Sequence, residues 1–273
     1  MPADGNSGPD PVQATDADHR LAADLATQTG ALLVELRRKH RFDAADPAAD
    51  DELRRAGDRV AQEFLAGALA EARPGDAVLS EEAPDDLRRL HAQRVWIIDP
   101  LDGTRQYGEE GRSDWGVHVA LAVDGTPVAG AVALPGEGVT LSTADPPPLP
   151  PVAEVAGRPR RVIASRSRPG SDARAVAATL GAELVALGSV GAKTAAVIRG
   201  EVDAYVHSGG QSEWDSAAPV AVALACGLHA SRLDGRALRY NQPDVELPDL
   251  LICHPELAVA ALAAAAALGT PAS

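Results

Sequence analysis

The chain reads as a mixed α/β protein of layered architecture, and three observations predict it. Strand and helix patterns alternate through the second half. Two long stretches near the start carry apolar residues at helical spacing. Between these regions lie short apolar strand patterns, two of them joined by the hairpin turn Asp124-Gly125. With 273 residues, 45% of them hydrophobic, the chain can bury a sizeable core as one large domain or two moderate ones.

Residues Met1 to about Asp16 are rich in Pro, Gly and Asp, which predicts a disordered tail. From Ala17 to about His40, Leu21, Leu25, Leu32, Leu33 and Leu36 mark a helix. Leu53, Val60, Phe64, Leu65 and Leu69 mark a second one, from about Asp51 to Ala72. A short strand, Ala77 to Leu79, precedes Glu81-Glu82, and a buried strand, Val95 to Ile98, ends at Asp99-Pro100. Trp115 to Val123 and Val128 to Leu134 form the hairpin. The run from Pro146 to Pro151 can continue neither regular structure and predicts a boundary. It divides the chain into the tail (1–16), an α+β subdomain (17–150) and an α/β subdomain (151–273).

In the second part, strands are expected at Arg161–Ala164, Leu184–Leu187, Ala204–Val206 and Leu250–Cys253. Helices are expected at Asp172–Leu180, Ala192–Ile198 and Ser216–Cys226, with a terminal helix that stops near Gly269 and Pro271. Gly209-Gly210 reads as a turn, and there is no internal repeat.

Charge and composition exclude several functions. Lys and Arg number 25 against 39 Asp and Glu, a formal net charge of −14. That balance argues against a nucleic-acid polymer or an anionic membrane as partner, since both attract basic surfaces. The N-terminus has no basic region ahead of an apolar one, so no secretory signal is expected. The apolar run near the C-terminus falls short of the roughly 20 residues a spanning helix needs. Cys226 and Cys253 could form a single disulfide but imply no disulfide framework, and they read first as free thiols in a reducing cytosol. The seven histidines lack metal-binding spacing, and neither a GxSxG elbow nor a GxxxxGK[ST] loop occurs.

The chemistry concentrates in acids. Asp99-Pro100-Leu101-Asp102-Gly103-Thr104 follows a buried strand, so two carboxylates and the Leu101 carbonyl can converge on one hard cation. Gly103 lets a backbone N–H approach a ligand closely, and a helical turn beginning there favours an anion such as phosphate. Taken singly, each acid has an ordinary reading. DPLDGT reads as a capped turn, Glu81-Glu82 as a solvated pair, Asp58 as an exposed helix acid and Asp215 as an N-cap. Jointly, several strand-end acids without a Cys/His cluster point to a carboxylate site for more than one Mg²⁺. Haloacid-dehalogenase-type phosphatases also carry a strand followed by DxDGT. Here the acids stand three apart with Pro between them, so the second would not present itself the same way.

Glu81-Glu82, DPLDGT (Asp99 to Thr104) and WDSAAP (Trp214 to Pro219) resemble the three signatures of the inositol monophosphatase superfamily, in that family's order. GSVGAKTAAVIRGEVDAYV, from Gly188, resembles the stretch before its last signature. The resemblance covers roughly Ala17 to Leu268. Within the superfamily the chain is most similar to the CysQ-type 3′-phosphoadenosine 5′-phosphate phosphatases, particularly the actinobacterial ones. That likeness rests on PGDAVLSEEAPDDL, VIASRSR (Val162 to Arg168), Lys193 and SRLDGRALRYNQPDVELPDLLIC.

The resemblance implies a layered αβαβα sandwich in a cytoplasmic homodimer. It implies metal ligation by Glu81, Asp99, the Leu101 carbonyl, Asp102 and Asp215, with two or three Mg²⁺ per site and Mn²⁺ as a substitute. Thr104, supported by Asp58, would orient the attacking water and help remove its proton. Gly103 and Thr104 amides would hold the phosphate, and Ser165, Arg166, Lys193 and Asp215 would contact substrate. Glu82 is the less expected ligand of its pair, and the spacing of GSVGAK leaves Ser189 without an assigned role. The implied reaction removes the 3′-phosphate of 3′-phosphoadenosine 5′-phosphate in sulfate assimilation, with its sulfated form as a further candidate substrate. Water would attack phosphorus directly, with inversion and no covalent phospho-enzyme, and Li⁺ would inhibit. Inositol-1-phosphatase and fructose-1,6-bisphosphatase activities are the alternatives. A metal-binding regulatory protein is the non-catalytic one.

Overall fold

The structure is a computed structural model that describes residues 13–42, 47–150, 157–166 and 169–269. The expected disordered tail falls mostly outside these residues, as do Ser167 and Arg168. Its end is ordered helix: α1 (Asp16–Lys39) begins at Asp16 because Thr15 and Asp18 form a reciprocal capping box. The second helix, α2 (Pro47–Ala72), starts four residues before Asp51, with Pro47 in the first turn, where its missing N–H costs nothing.

The first sheet runs β1 (Ala77–Ser80), β2 (Arg94–Asp102), β3 (Gly116–Val123), β4 (Thr126–Leu134) and β5 (Val139–Ser142) in that spatial order. β1 pairs parallel with β2, and the other pairings are antiparallel. The second sheet holds β6 (Arg161–Ser165), β7 (Glu183–Leu187), β8 (Ala204–Ser212), β9 (His229–Ser231) and β10 (Glu246–Cys253), in the order β7-β6-β8-β10-β9. The remaining helices are α3 (Thr104–Tyr107), α4 (Ser171–Leu180), α5 (Val190–Ile198), α6 (Glu213–Ala225) and α7 (Ala258–Gly269).

Period-2 alternation sorts β2 between two cores. Trp96 and Ile98 face α1 and α2 together with Leu25, Leu33, Leu65 and Leu69. Val95 and Ile97 face α5 and α6 on the other side. The same two helices pack their far side on Ile163, Tyr205 and Ile252 of the second sheet. The outer face of that sheet, through Val162, Val206 and Leu251, is covered by α4 and α7. The layers are therefore helix, sheet, helix, sheet, helix. Gly130 of β4 permits the close approach of α6, since a Cβ there would lie 3.2 Å from Ala218 Cα and 3.0 Å from Ala221 Cβ.

Two strands run further than the sequence predicts. β2 does not stop at Asp99: pairing resumes at Asp102 opposite Gly116 after a register shift, and Pro100, which has no N–H to donate, sits inside that bulge. Gly209-Gly210 is not a terminal turn. Both residues have positive φ, +93° and +58°, inside β8 where its pairing with β10 shifts. The short strands β5 and β9 had no sequence signal, because three or four residues carry too little periodicity. Cys226 and Cys253 are free, and burial pushes their thiols up to about 11 and about 12. Among the described residues no helix is long and apolar enough to cross a membrane.

One ionic cluster joins the outer helices to the first sheet. Asp18 of α1 is buried and accepts from Arg73 Nε (2.8 Å), Arg94 (2.9 Å) and the Thr15 amide (2.8 Å). Arg94 also binds Asp76, which accepts from Trp96 Nε1 at 2.9 Å. Burial alone would raise the Asp18 pKa, but the Thr15 amide and the two guanidinium groups outweigh it and hold the carboxyl well below the usual range. Such a depressed acid stabilises the fold above its unfolded pKa of about 4 and loses that contribution as pH falls through the folded value. Asp18→Asn is therefore expected to cost about 1–3 kcal/mol at pH 7. In urea titrations, the gap to wild type should narrow progressively below about pH 4.

Candidate active site

The bulge in β2 presents both of its acids at one end of the first sheet. Asp99 and Asp102 are 1% and 6% exposed. Asp215 joins them from the start of α6. It is not the N-cap: Ser212 is, and Asp215 stands three residues on, where its Oδ2 accepts from the Ser212 amide at 2.6 Å. Asp99, Asp102 and Asp215 each offer an oxygen within 4.8 Å of the others. Such a set of oxygen donors suits a hard cation.

The electrostatics say the same. Burial first, then the neighbouring charges of Glu81, Asp102 and Asp215, push Asp99 well above the usual carboxylate range. Burial and Asp102 push Asp215 up to about 6. Glu81 stands outside the triad and meets it through Asp99, with which its carboxyl shares a hydrogen bond. Much of the Glu81 residue faces solvent, yet surrounding protein and then the charge of Asp215 raise its carboxyl to about 7. A cation would relieve this mutual repulsion, so the residues fit a metal. Glu82 is exposed and does not belong to the triad; its charge acts on Asp58.

Asp102 behaves differently. Burial works against its charge, but His118, Ser189 and Lys193 outweigh that and lower its pKa. Oδ2 accepts from the Ser189 hydroxyl and, at 3.0 Å, from the Gly191 amide. Ser189 is the N-cap of α5 and also accepts from the Ala192 amide at 3.0 Å. Its φ of +23° is rare for a non-glycine residue, a strain that seats its hydroxyl on Asp102. Ser189 thus lies at the site.

Gly103 caps α3 with φ +82°, and a Cβ there would press on the Asp114 carbonyl at 3.1 Å, so the turn requires glycine. The Thr104 hydroxyl lies 3.0 Å from the Leu101 carbonyl and 3.4 Å from Asp58 Oδ1; its single proton can serve only one of them at a time. Burial, and then the charge of Glu82, push Asp58 up to about 6.

A cavity of about 520 Å³ opens beside the triad and is lined by Asp102, Asp215, Ser165, Arg166, Lys193 and Arg105. Lys193 is buried, donates to the Gly188 carbonyl at 2.6 Å and lies over the Tyr205 ring, 5.2 Å from its centre. Burial lowers it to about 8 against the pull of Asp102, Asp215 and Asp114. Arg166 reaches within 3.7 Å of Asp114. Arg105, Asp114 and His118 escaped the sequence reading, and Ser189, left there without a role, is held against Asp102. Of these three, His118 carried a signal, as the one ionisable residue in the otherwise apolar run of β3.

The sequence profile of the family described as "Inositol monophosphatase family" matches residues 16–149 and 150–268. The chain is 49% identical over 255 residues to the "3'-phosphoadenosine 5'-phosphate phosphatase" of Mycobacterium leprae, which covers 90% of this chain and 92% of that protein. It is 32% identical over 202 residues to the "3'(2'),5'-bisphosphate nucleotidase CysQ" of Escherichia coli (strain K12), covering 71% and 81%. In three dimensions it superposes on the crystal structure of CysQ from Bacteroides thetaiotaomicron with TM-score 0.69 at 24% identity, over 88% of this chain and 97% of that one. On these matches, and on the convergence of the three acidic signatures, the chain belongs to the inositol monophosphatase family.

Proposed function

We propose that the protein is a Mg²⁺-dependent phosphomonoesterase that converts 3′-phosphoadenosine 5′-phosphate to AMP and phosphate. The observation that carries this reading is the pairing of an oxygen-only carboxylate triad with an adjoining cavity whose lining includes Lys193 and Arg166. Asp99, Asp102 and Asp215, with Glu81 and the Leu101 carbonyl, would hold two or three Mg²⁺, with Mn²⁺ as a substitute. When bound, such ions screen the phosphoryl charge, activate water and stabilise the leaving oxygen.

The chain's own residues supply the rest. Thr104 Oγ1, poised between the Leu101 carbonyl and Asp58, accepts a proton from the attacking water while its own passes toward Asp58 Oδ1. An Asp58 pKa of about 6 suits a group that must take a proton near neutral pH. The amides of Gly103 and Thr104 orient the reacting phosphate. Lys193 and Arg166 meet further negative charge on the substrate, and Ser165 contributes a hydroxyl beside them. A substrate with a second phosphate uses these cations better than inositol 1-phosphate does. The near half-identity to mycobacterial proteins of that name supports the same choice, and with it a place in sulfate assimilation. The sulfated nucleotide has the same 3′-phosphate. We further propose two subdomains meeting at about residue 150, one built on each sheet, and a cytoplasmic homodimer.

Phosphate release with 3′-phosphoadenosine 5′-phosphate, inositol 1-phosphate and fructose 1,6-bisphosphate is expected to rank the nucleotide first by kcat/KM. Preference for either sugar phosphate would overturn the substrate assignment. Asp102→Asn is expected to lower kcat by about 100-fold or more, the equivalent of losing roughly 3 kcal/mol of transition-state stabilisation. Full activity in a folded Asn variant would reject the ligand set.

A further inference from the structure

His118 sits on β3 in register with Asp99, at the bulge that turns β2 toward the site. Its ring is fully buried. Nε2 lies 3.2 Å from Asp102 Oδ2, and Nδ1 lies 4.0 Å from Asp99 Oδ2. Neither nitrogen forms a well-aligned hydrogen bond among the described residues. A buried imidazole left in that condition costs free energy unless its neighbours use it. Its neighbours are two of the three triad carboxylates.

The surroundings are shaped to this ring. A Cβ on Gly191 would lie 2.5 Å from His118 Nε2 and 2.7 Å from Val132 Cγ1, so α5 can approach only because residue 191 has no side chain. The Gly191 amide, the Ser189 hydroxyl and His118 Nε2 then surround a single oxygen, Asp102 Oδ2. Two donors come from the start of α5, and from β3 the His118 ring closes the third side at 3.2 Å. Together they occupy Oδ2 and leave Oδ1 as the oxygen that Asp102 can offer to a cation.

We propose that His118 is a positioning residue for the metal site: it braces Asp102 through Oδ2 and, by filling the space beside Asp99, sets the separation of the two carboxylates. The inference rests on reading the triad as a metal site. Partners behind a ligand commonly change metal affinity by about 10–100-fold when removed. The action of His118 requires a donor at the Nε2 position, which a glutamine amide reproduces and an asparagine amide, reaching only to the Nδ1 position, does not.

The test is titration of metal-free protein with Mn²⁺, following the free ion by electron paramagnetic resonance, with circular dichroism to verify folding. His118→Leu is expected to weaken Mn²⁺ binding about 10–100-fold. His118→Gln is expected to stay within about 3-fold of wild type, and His118→Asn to resemble the Leu variant. Wild-type affinity in a folded Leu variant would overturn the inference. Equal losses in Gln and Asn would also overturn it, because the ring would then matter only for its bulk. That Gln-to-Asn comparison decides the matter even if the Leu variant does not fold. Absence of Mn²⁺ binding by wild type would instead reject the metal reading on which the inference stands.

Discussion

Crowding Asp99, Asp102 and Asp215 into one buried place is the constraint on which the rest of the structure depends. Like charges this close repel, and burial adds the loss of hydration. The protein meets the cost unevenly. Against the cost of its burial, Asp102 is kept charged by His118 above all, and then by the Ser189 hydroxyl and Lys193. Asp99, Asp215 and Glu81 have weaker support, such as the Leu101 amide on Asp99 and the Ser212 amide on Asp215, and burial pushes them toward their protonated forms. The arrangement holds one anchored anion among carboxyls that repel one another, a set that suits a cation.

The fold makes that arrangement rigid. The triad hangs from the end of β2 and the start of α6, and α5 supplies the donors that anchor it. All three elements border the central helix layer or the sheet packed on it, where side chains such as Val190, Ala217 and Ile97 are buried. Asp18, Arg73 and Arg94 clamp α1 and α2 to the far face of the same sheet, so β2 is held from both sides. A rigid frame suits carboxylates that must keep their spacing against repulsion.

Much of the site was legible because its signals are local. An apolar strand ending in DPLDGT, acids after another short strand and WD before a run of small residues are contiguous patterns, and each gives the residue type and its position on an element. Their convergence was inferred from resemblance to a family, since nothing in a linear pattern says that Asp215 meets Asp99. The bulges were not legible. β2 continues past Pro100, and Gly209-Gly210 stays within β8, because a partner strand resumes pairing beyond each irregularity.

The sequence by itself determined the layered α/β class, the order of the longer helices and strands and the identity of the acids, because periodicity and short motifs depend only on neighbours along the chain. Tertiary structure alone decided which oxygen of Asp102 is occupied, why Gly191 must lack a side chain and that His118 stands behind the carboxylates. Those facts arise from contacts among β2, β3 and α5. Residues 87 to 89 positions apart meet at Asp102, and no pattern along the chain registers that distance.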